Sequence, residues 1–144
     1  PDFSFQTLDK KTVALSDLKG KVVLLNFWAI WCSPCIANLP DIKRIYNQHG
    51  RSEFEIIGIS LDGGEASKTT LKDLQNFAAK EQVNWPIAFD NGGWGNSAAQ
   101  MYNVTGIPIH IVIDKKGIIR LIGRGGGTEK INKIETLIAE LIKE

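Results

Sequence analysis

Two rhythms of apolar residues alternate along this chain, one continuous and one spaced by threes and fours. Lys21 to Trp28 is a nearly unbroken apolar run rich in valine and leucine, and Glu53 to Leu61 is a second; both read as strands buried on both faces of a sheet. Between them Ile36, Leu39, Ile42, Ile45 and Tyr46 recur at helical spacing, which predicts a helix from about Ser33 to His49, bent at Pro40. Pro34 suits its first turn, where no amide hydrogen is needed. Leu71, Leu74, Phe77 and Ala78 mark another helix that ends before Asn84, Trp85 to Phe89 is a short extended run, and Asn96 to Tyr102 a brief helix. Ile107 to Ile113 and Ile118 to Ile122 read as antiparallel strands about the turn Lys115-Lys116-Gly117. Thr128 is placed to cap a final helix whose Ile131, Ile134, Leu137, Ile138, Leu141 and Ile142 form one apolar stripe.

At the amino terminus, Phe3-Ser4-Phe5 and Thr12 to Leu15 alternate at period two around Asp9-Lys10-Lys11, a hairpin that would cover a sheet edge. The order hairpin, β, α, β, α, β, α, β, β, α predicts one α/β domain over residues 1–144, with a mixed central sheet and helices on both faces.

Composition narrows the classes. With 144 residues and 43 percent of them hydrophobic, the chain can build one core without staples, and two cysteines are too few for a disulfide-framework mini-protein. Seventeen basic against 16 acidic residues leave a net charge of +1, without the basic footprint of a nucleic-acid binder. Every apolar run falls short of the roughly 18 residues a membrane span needs, which reads as a soluble chain. It opens at Pro1 without an initiator methionine, so a removed targeting segment or a membrane anchor upstream is expected.

The chemistry concentrates in Trp31-Cys32-Ser33-Pro34-Cys35, directly after the first buried strand and at the start of a helix. Two intervening residues set the first sulfur at the helix end and the second one turn along, near enough to form a disulfide. Free backbone N–H groups and the helix dipole favour a thiolate at Cys32. Lowering a thiol pKa from about 8.5 to about 7 nets only about a threefold gain in rate, because nucleophilicity falls with basicity. The helix end therefore acts mainly on redox poise and on leaving ability, while Cys35 supplies an intramolecular resolving step. Other readings are two buried core cysteines or half of a zinc site; the latter would have to recruit His49 or His110, neither at finger spacing.

Phe27-Trp28-Ala29-Ile30-Trp31-Cys32-Ser33-Pro34-Cys35 resembles the active-site segment of the thioredoxin superfamily, and Thr105-Gly106-Ile107-Pro108 its second signature, a loop with a cis-proline. The opening Pro1-Asp2-Phe3-Ser4-Phe5, the Leu15 to Lys21 segment and an insertion from about Gly63 to Gly93 are similar to the TlpA/ResA-type branch, extracytoplasmic bacterial thiol-disulfide oxidoreductases that are anchored or secreted. The resemblance implies a thioredoxin fold, an exposed attacking Cys32, a buried resolving Cys35, and a cis-Pro108 facing the disulfide. Ile107 would offer backbone groups to an extended substrate, and Trp31 would flank the site, though Trp31 reads equally well as a packing residue. Trp85 and Trp94 read as packing residues.

Where members of the superfamily carry a buried aspartate or glutamate, this chain has Asn26 and Asn38, amides that cannot take a proton. His110, two residues beyond Pro108 and on the same strand face, is a candidate relay for the Cys35 proton, with an imidazole suited to titrate near neutrality; it also reads as a hydrogen-bonded core histidine. Asp62, Asp90 and Asp114 read as solvated breakers, and Arg124 to Gly127 as a flexible loop.

The expected activity is thiol-disulfide exchange between Cys32-Cys35 and protein substrates, as a reductant or mild exchanger, because Ser33-Pro34 adds no positive charge to stabilise the reduced form. It requires no bound cofactor. A recycling redox partner, a monomeric state, no nucleic acid, and a periplasmic or cell-envelope location complete the expectation. Alternatives are a thiol peroxidase, suggested by a redoxin-type Ser60-Leu61-Asp62 but opposed by Ala29 where a threonine is called for, and a copper chaperone using Cys32, Cys35 and a histidine.

Overall fold

A computed structural model describes residues 2–64 and 67–144. Pro1 of the opening segment, and Glu65 and Ala66 of the 63–93 segment, lie outside the described residues. Strands β1 (Ser4–Gln6) and β2 (Thr12–Ala14) form an antiparallel hairpin. The main sheet holds β3 (Val22–Trp28), β4 (Phe54–Ser60), β5 (Ile87–Phe89), β6 (Ile109–Ile113) and β7 (Ile119–Arg124) in the order β5-β4-β3-β6-β7. β3, β4 and β5 run parallel, and β6 and β7 are added antiparallel, so the sheet is mixed as expected. The hairpin does meet an edge: Thr7 bridges to Ala88 of β5. The 63–93 segment supplies that edge strand and the helix before it.

Every residue of central β3 is buried, which is why its sequence does not alternate, whereas edge strand β7 alternates half-buried with exposed positions. Val22, Leu24 and Trp28 of β3 face a core closed by α2 (Leu39–Gln48), α3 (Leu71–Lys80) and α5 (Thr128–Ile142). Val23, Leu25 and Phe27 face a smaller core closed by α4 (Ser97–Met101) and by Phe3 ahead of the hairpin. Among the described residues no helix is long and apolar enough to cross a membrane.

Three local expectations need correction. The helix predicted over 33–49 is two helices, α1 (Ser33–Ala37) and α2, divided at Asn38. Pro40 has no amide to give the Ile36 carbonyl, so the ladder breaks while Asn38 keeps near-helical dihedrals of −81° and −13°; the bend lies two residues before the proline. Thr128 does not cap α5, because Gly127 holds the N-cap position and its carbonyl accepts from the Ile131 amide at 3.0 Å, leaving Thr128 inside the first turn. Asp62 and Asp114 are buried, not solvated, and only Asp90 of the three is exposed; the Asp62 carboxylate accepts from the Ile30 amide and two hydroxyls, and that of Asp114 from the Lys116 and Ile118 amides.

Glycine matters at one sheet position that pattern reading passes over. A Cβ at Gly58 in β4 would lie 3.1 Å from the indole nitrogens of both Trp28 and Trp85. The bare backbone lets two buried tryptophans meet over the strand, Trp28 packing on Phe77 and Trp85 on Tyr46, each with ring centroids 5.5 Å apart.

Candidate active site

The site forms where β3 ends. A turn, closed by the Cys32 amide donating to the Ala29 carbonyl at 3.2 Å, carries the chain from the sheet into α1. Cys32 is the N-cap of that helix, and its Sγ accepts from the Cys35 amide at 3.3 Å. The two Cα atoms are 5.3 Å apart and the sulfurs are joined in a disulfide. One turn of helix thus gives the pair a bonded and a separable state, which is the requirement for two-electron exchange. Pro34 lies in the first turn, where its missing amide costs nothing.

Cys32 and Cys35 are each only 5 percent exposed in this oxidised form, so the exposed-versus-buried asymmetry expected of the pair is absent while the sulfurs are bonded. The exposed neighbour is Trp31, at 45 percent. Its ring lies 6.2 Å from that of Trp94, itself 37 percent exposed, at an interplanar angle of 53°. Trp94 and Trp85 both pack, as expected, but Trp94 does so on Trp31 at the rim of the site, whereas Trp85 is buried. No spacing rule joins positions 31 and 94; only the return of the inserted segment past the active-site turn brings them together.

The Ile107–Pro108 peptide bond is cis. Pro108 is buried and its carbonyl accepts from the Gly125 amide at 2.8 Å; half-buried Ile107 packs against the cluster that holds both cysteines. A shallow cleft of about 260 Å³ runs from Thr105 to Ile109 and is closed by Arg124 and Gly125. The 124–127 stretch is therefore fastened rather than loose. Gly126 lies so close to Asn38 that a Cβ there would fall 2.8 Å from the amide nitrogen of Asn38.

His110 faces the cysteine side of the sheet with Val112, directly opposite Asn26 in the β3–β6 register. It is 1 percent exposed, and neither ring nitrogen has a hydrogen-bond partner among the described residues. Burial pushes its pKa down to about 4, well below the ordinary imidazole value, since the charged form loses its hydration and gains no partner. The expectation of a near-neutral titration is not met, and neither is that of a hydrogen-bonded core histidine.

Asp62 is a residue whose role pattern reading missed. Its carboxylate accepts from the Ile30 amide at 3.1 and 3.3 Å, from the Ser60 hydroxyl at 2.7 Å and from the Thr69 hydroxyl at 3.1 Å, which satisfies it in full burial. Among the described residues no three histidine, cysteine or acidic side chains gather to hold a metal ion.

Residues 1–122 match the AhpC/TSA family. The chain is 34 percent identical over 130 residues to the thioredoxin-like protein YneN of Bacillus subtilis, covering 90 percent of this chain and 72 percent of that one. It is 33 percent identical over 132 residues to the thiol-disulfide oxidoreductase ResA of Oceanobacillus iheyensis, covering 89 percent of this chain and 64 percent of that relative's length. Among solved structures it superposes on the exposed lipoprotein thioredoxin Etrx1 of Streptococcus pneumoniae with a TM-score of 0.78 and 32 percent identity, covering 98 percent of this chain and all of that one. Sequence, thioredoxin fold and the bonded Cys32–Cys35 pair agree: this chain belongs to the AhpC/TSA family and is a thiol-disulfide oxidoreductase.

Proposed function

We propose that the chain reduces or mildly exchanges disulfides of protein substrates outside the cytoplasm. The Cys32 thiolate attacks one sulfur of a substrate disulfide and releases the other as a thiolate. The Cys35 thiolate then attacks Cys32 Sγ, the second substrate sulfur leaves, and the Cys32–Cys35 bond closes. Two electrons pass to the substrate, the protons of the cysteine pair end on the substrate thiols, and a separate dithiol partner reopens the bond. The observation that carries this reading is the bonded pair at the start of α1 beside an exposed tryptophan.

Direction follows from how little stabilises the reduced form. The Cys35 amide donates to Cys32 Sγ, and Ser33-Pro34 contributes no cation, so the thiolate is not held strongly enough to make the disulfide a powerful oxidant. Trp31, Ile107 and Pro108 would border an extended substrate segment, and His110 would pass the Cys35 proton as a neutral imidazole, which offers one acceptor and one donor nitrogen. Etrx1, named an exposed lipoprotein thioredoxin, supports the extracytoplasmic location.

The test is reduction of insulin disulfides by the pre-reduced protein, run beside a peroxide-consumption assay. Insulin reduction that vanishes in Cys32→Ser, without peroxide turnover, supports the proposal. Peroxide turnover with inert insulin would replace it with a peroxidase.

A further inference from the structure

The two exposed tryptophans at the rim lie on segments that one residue joins. The Asp62 carboxylate accepts from the amide of Ile30, the residue immediately before Trp31 and inside the turn that delivers Cys32. The main-chain carbonyl of the same Asp62 accepts from the amide of Gly93, the residue immediately before Trp94, at 3.2 Å. Around it Gly63 bridges to Gly92 and the Gly64 amide donates to the Asn91 carbonyl at 3.0 Å. We propose that Asp62 is a positioning residue that sets the Trp31–Trp94 pair, and that this pair selects protein disulfides over small-molecule disulfides.

The need for such an anchor follows from the local sequence. Trp94 is carried in Gly92-Gly93-Trp94-Gly95, a short turn closed by the Gly95 amide donating to the Gly92 carbonyl at 3.0 Å. Its glycines give the backbone little stiffness, so the place of the indole depends on what the turn is tied to, Asp62 on one side and the Gln100 side chain, which donates to the Trp94 carbonyl at 3.0 Å, on the other. Trp31 lies in a four-residue turn held at one end by the Ala29–Cys32 hydrogen bond and in its middle by Asp62. Burial gives those bonds their effect: a carboxylate with every partner inside the fold cannot relax toward water without losing them. The fastening extends to Ser60 and, through Thr69, to Ser67, so the active-site turn is braced against the inserted segment.

Two partly exposed indoles with centroids 6.2 Å apart, tilted 53° to one another, present an angled apolar surface beside the cysteines. An extended polypeptide carrying an apolar side chain next to its cysteine can lie on that surface while its disulfide reaches Cys32. A small aliphatic disulfide has nothing to place there. The selectivity rests on the contact role proposed above for Trp31; the positioning by Asp62 does not.

The experiment pairs spectroscopy with kinetics. Coupled indoles give a near-ultraviolet circular dichroism signal, and the non-additive part of a cycle of wild type, Trp31→Phe, Trp94→Phe and the double variant isolates the part due to this pair. Asp62→Ala is expected to lose that same signal and to lower kcat/KM for insulin roughly tenfold, in line with the cost of misplacing a contact by a fraction of an ångström. Reduction of oxidised glutathione should stay within about twofold, because the reacting sulfurs keep their own helix-end geometry. Asp62→Asn, which keeps an acceptor for the Ile30 amide, should restore most of the signal and of the insulin rate. A full pair signal in Asp62→Ala overturns the positioning claim, and equal losses on insulin and glutathione overturn the selectivity claim. Should Asp62→Ala not fold, Thr69→Val decides in its place by weakening the signal or leaving it intact. If wild-type protein reduces neither disulfide, the fault lies with the proposed function, and the spectra still decide the positioning.

Discussion

A fully buried imidazole makes stability depend on pH in a calculable way. His110 lies within the β6 ladder at 1 percent exposure, and its pKa is about 4 against an ordinary 6.5. Above pH 6.5 the ring is neutral in both folded and unfolded chains and contributes no slope. As pH falls, the unfolded chain takes up a proton that the folded chain refuses, so the fold loses stability between 6.5 and about 4, where the folded form protonates as well. The full gap corresponds to about 3 kcal/mol, of which about 2 kcal/mol is lost by pH 5. The assay is urea denaturation of the oxidised protein at pH 8 and pH 5, for wild type and His110→Leu. At a slope of about 2 kcal/mol per molar urea, the wild-type midpoint should fall by about 1 M more than that of the variant. Identical pH dependence in the two proteins, or an NMR titration of the His110 ring near neutrality, would refute the reasoning and with it the buried neutral imidazole.

Further outcomes follow from the packing and the sulfurs. Gly58→Ala forces a methyl group against both Trp28 and Trp85, and should destabilise the protein by about 1–2 kcal/mol in denaturant titration, overpacking outweighing the strand preference for alanine; replacing Trp85 by Phe in the same chain should recover part of the loss. Thr70→Ala removes the capping box in which Thr70 accepts from the Asp73 amide at 3.1 Å and Asp73 accepts from the Thr70 amide at 2.9 Å, and should cost about 1 kcal/mol by the same titration. Cys35→Ser should accumulate a mixed disulfide between Cys32 and the substrate, visible by non-reducing electrophoresis, whereas Cys32→Ser should form none.

Legibility in the sequence tracked how local the determining physics was. The uninterrupted apolar run of β3, the cysteine spacing and the proline of the Thr105 to Pro108 signature lie within a few residues of what they specify, and each is found where it was expected. The break at Asn38 was half legible: Pro40 announces it, but the carbonyl left unmatched, that of Ile36, lies one turn earlier. Asp62 could not be read from its neighbours alone, because beyond nearby Ser60 its partners Ile30 and Thr69 come from other segments, and a carboxylate beside two glycines has the pattern of a solvated turn. The same holds for Gly58, whose need for a bare backbone comes from Trp28 and Trp85 rather than from its own strand. His110 was placed on the correct face by period two, but its lowered pKa comes from how completely the fold buries the ring, which no periodicity encodes.

The most direct test of the account is a redox titration of the Cys32–Cys35 pair. The protein is equilibrated in thiol-disulfide buffers of graded potential and the free thiols are counted by alkylation and mass. A single two-electron transition in which both cysteines change state together, with a midpoint nearer about −270 mV than about −120 mV, is the predicted result. Cysteines that titrate separately, or that stay reduced at every potential, would contradict it.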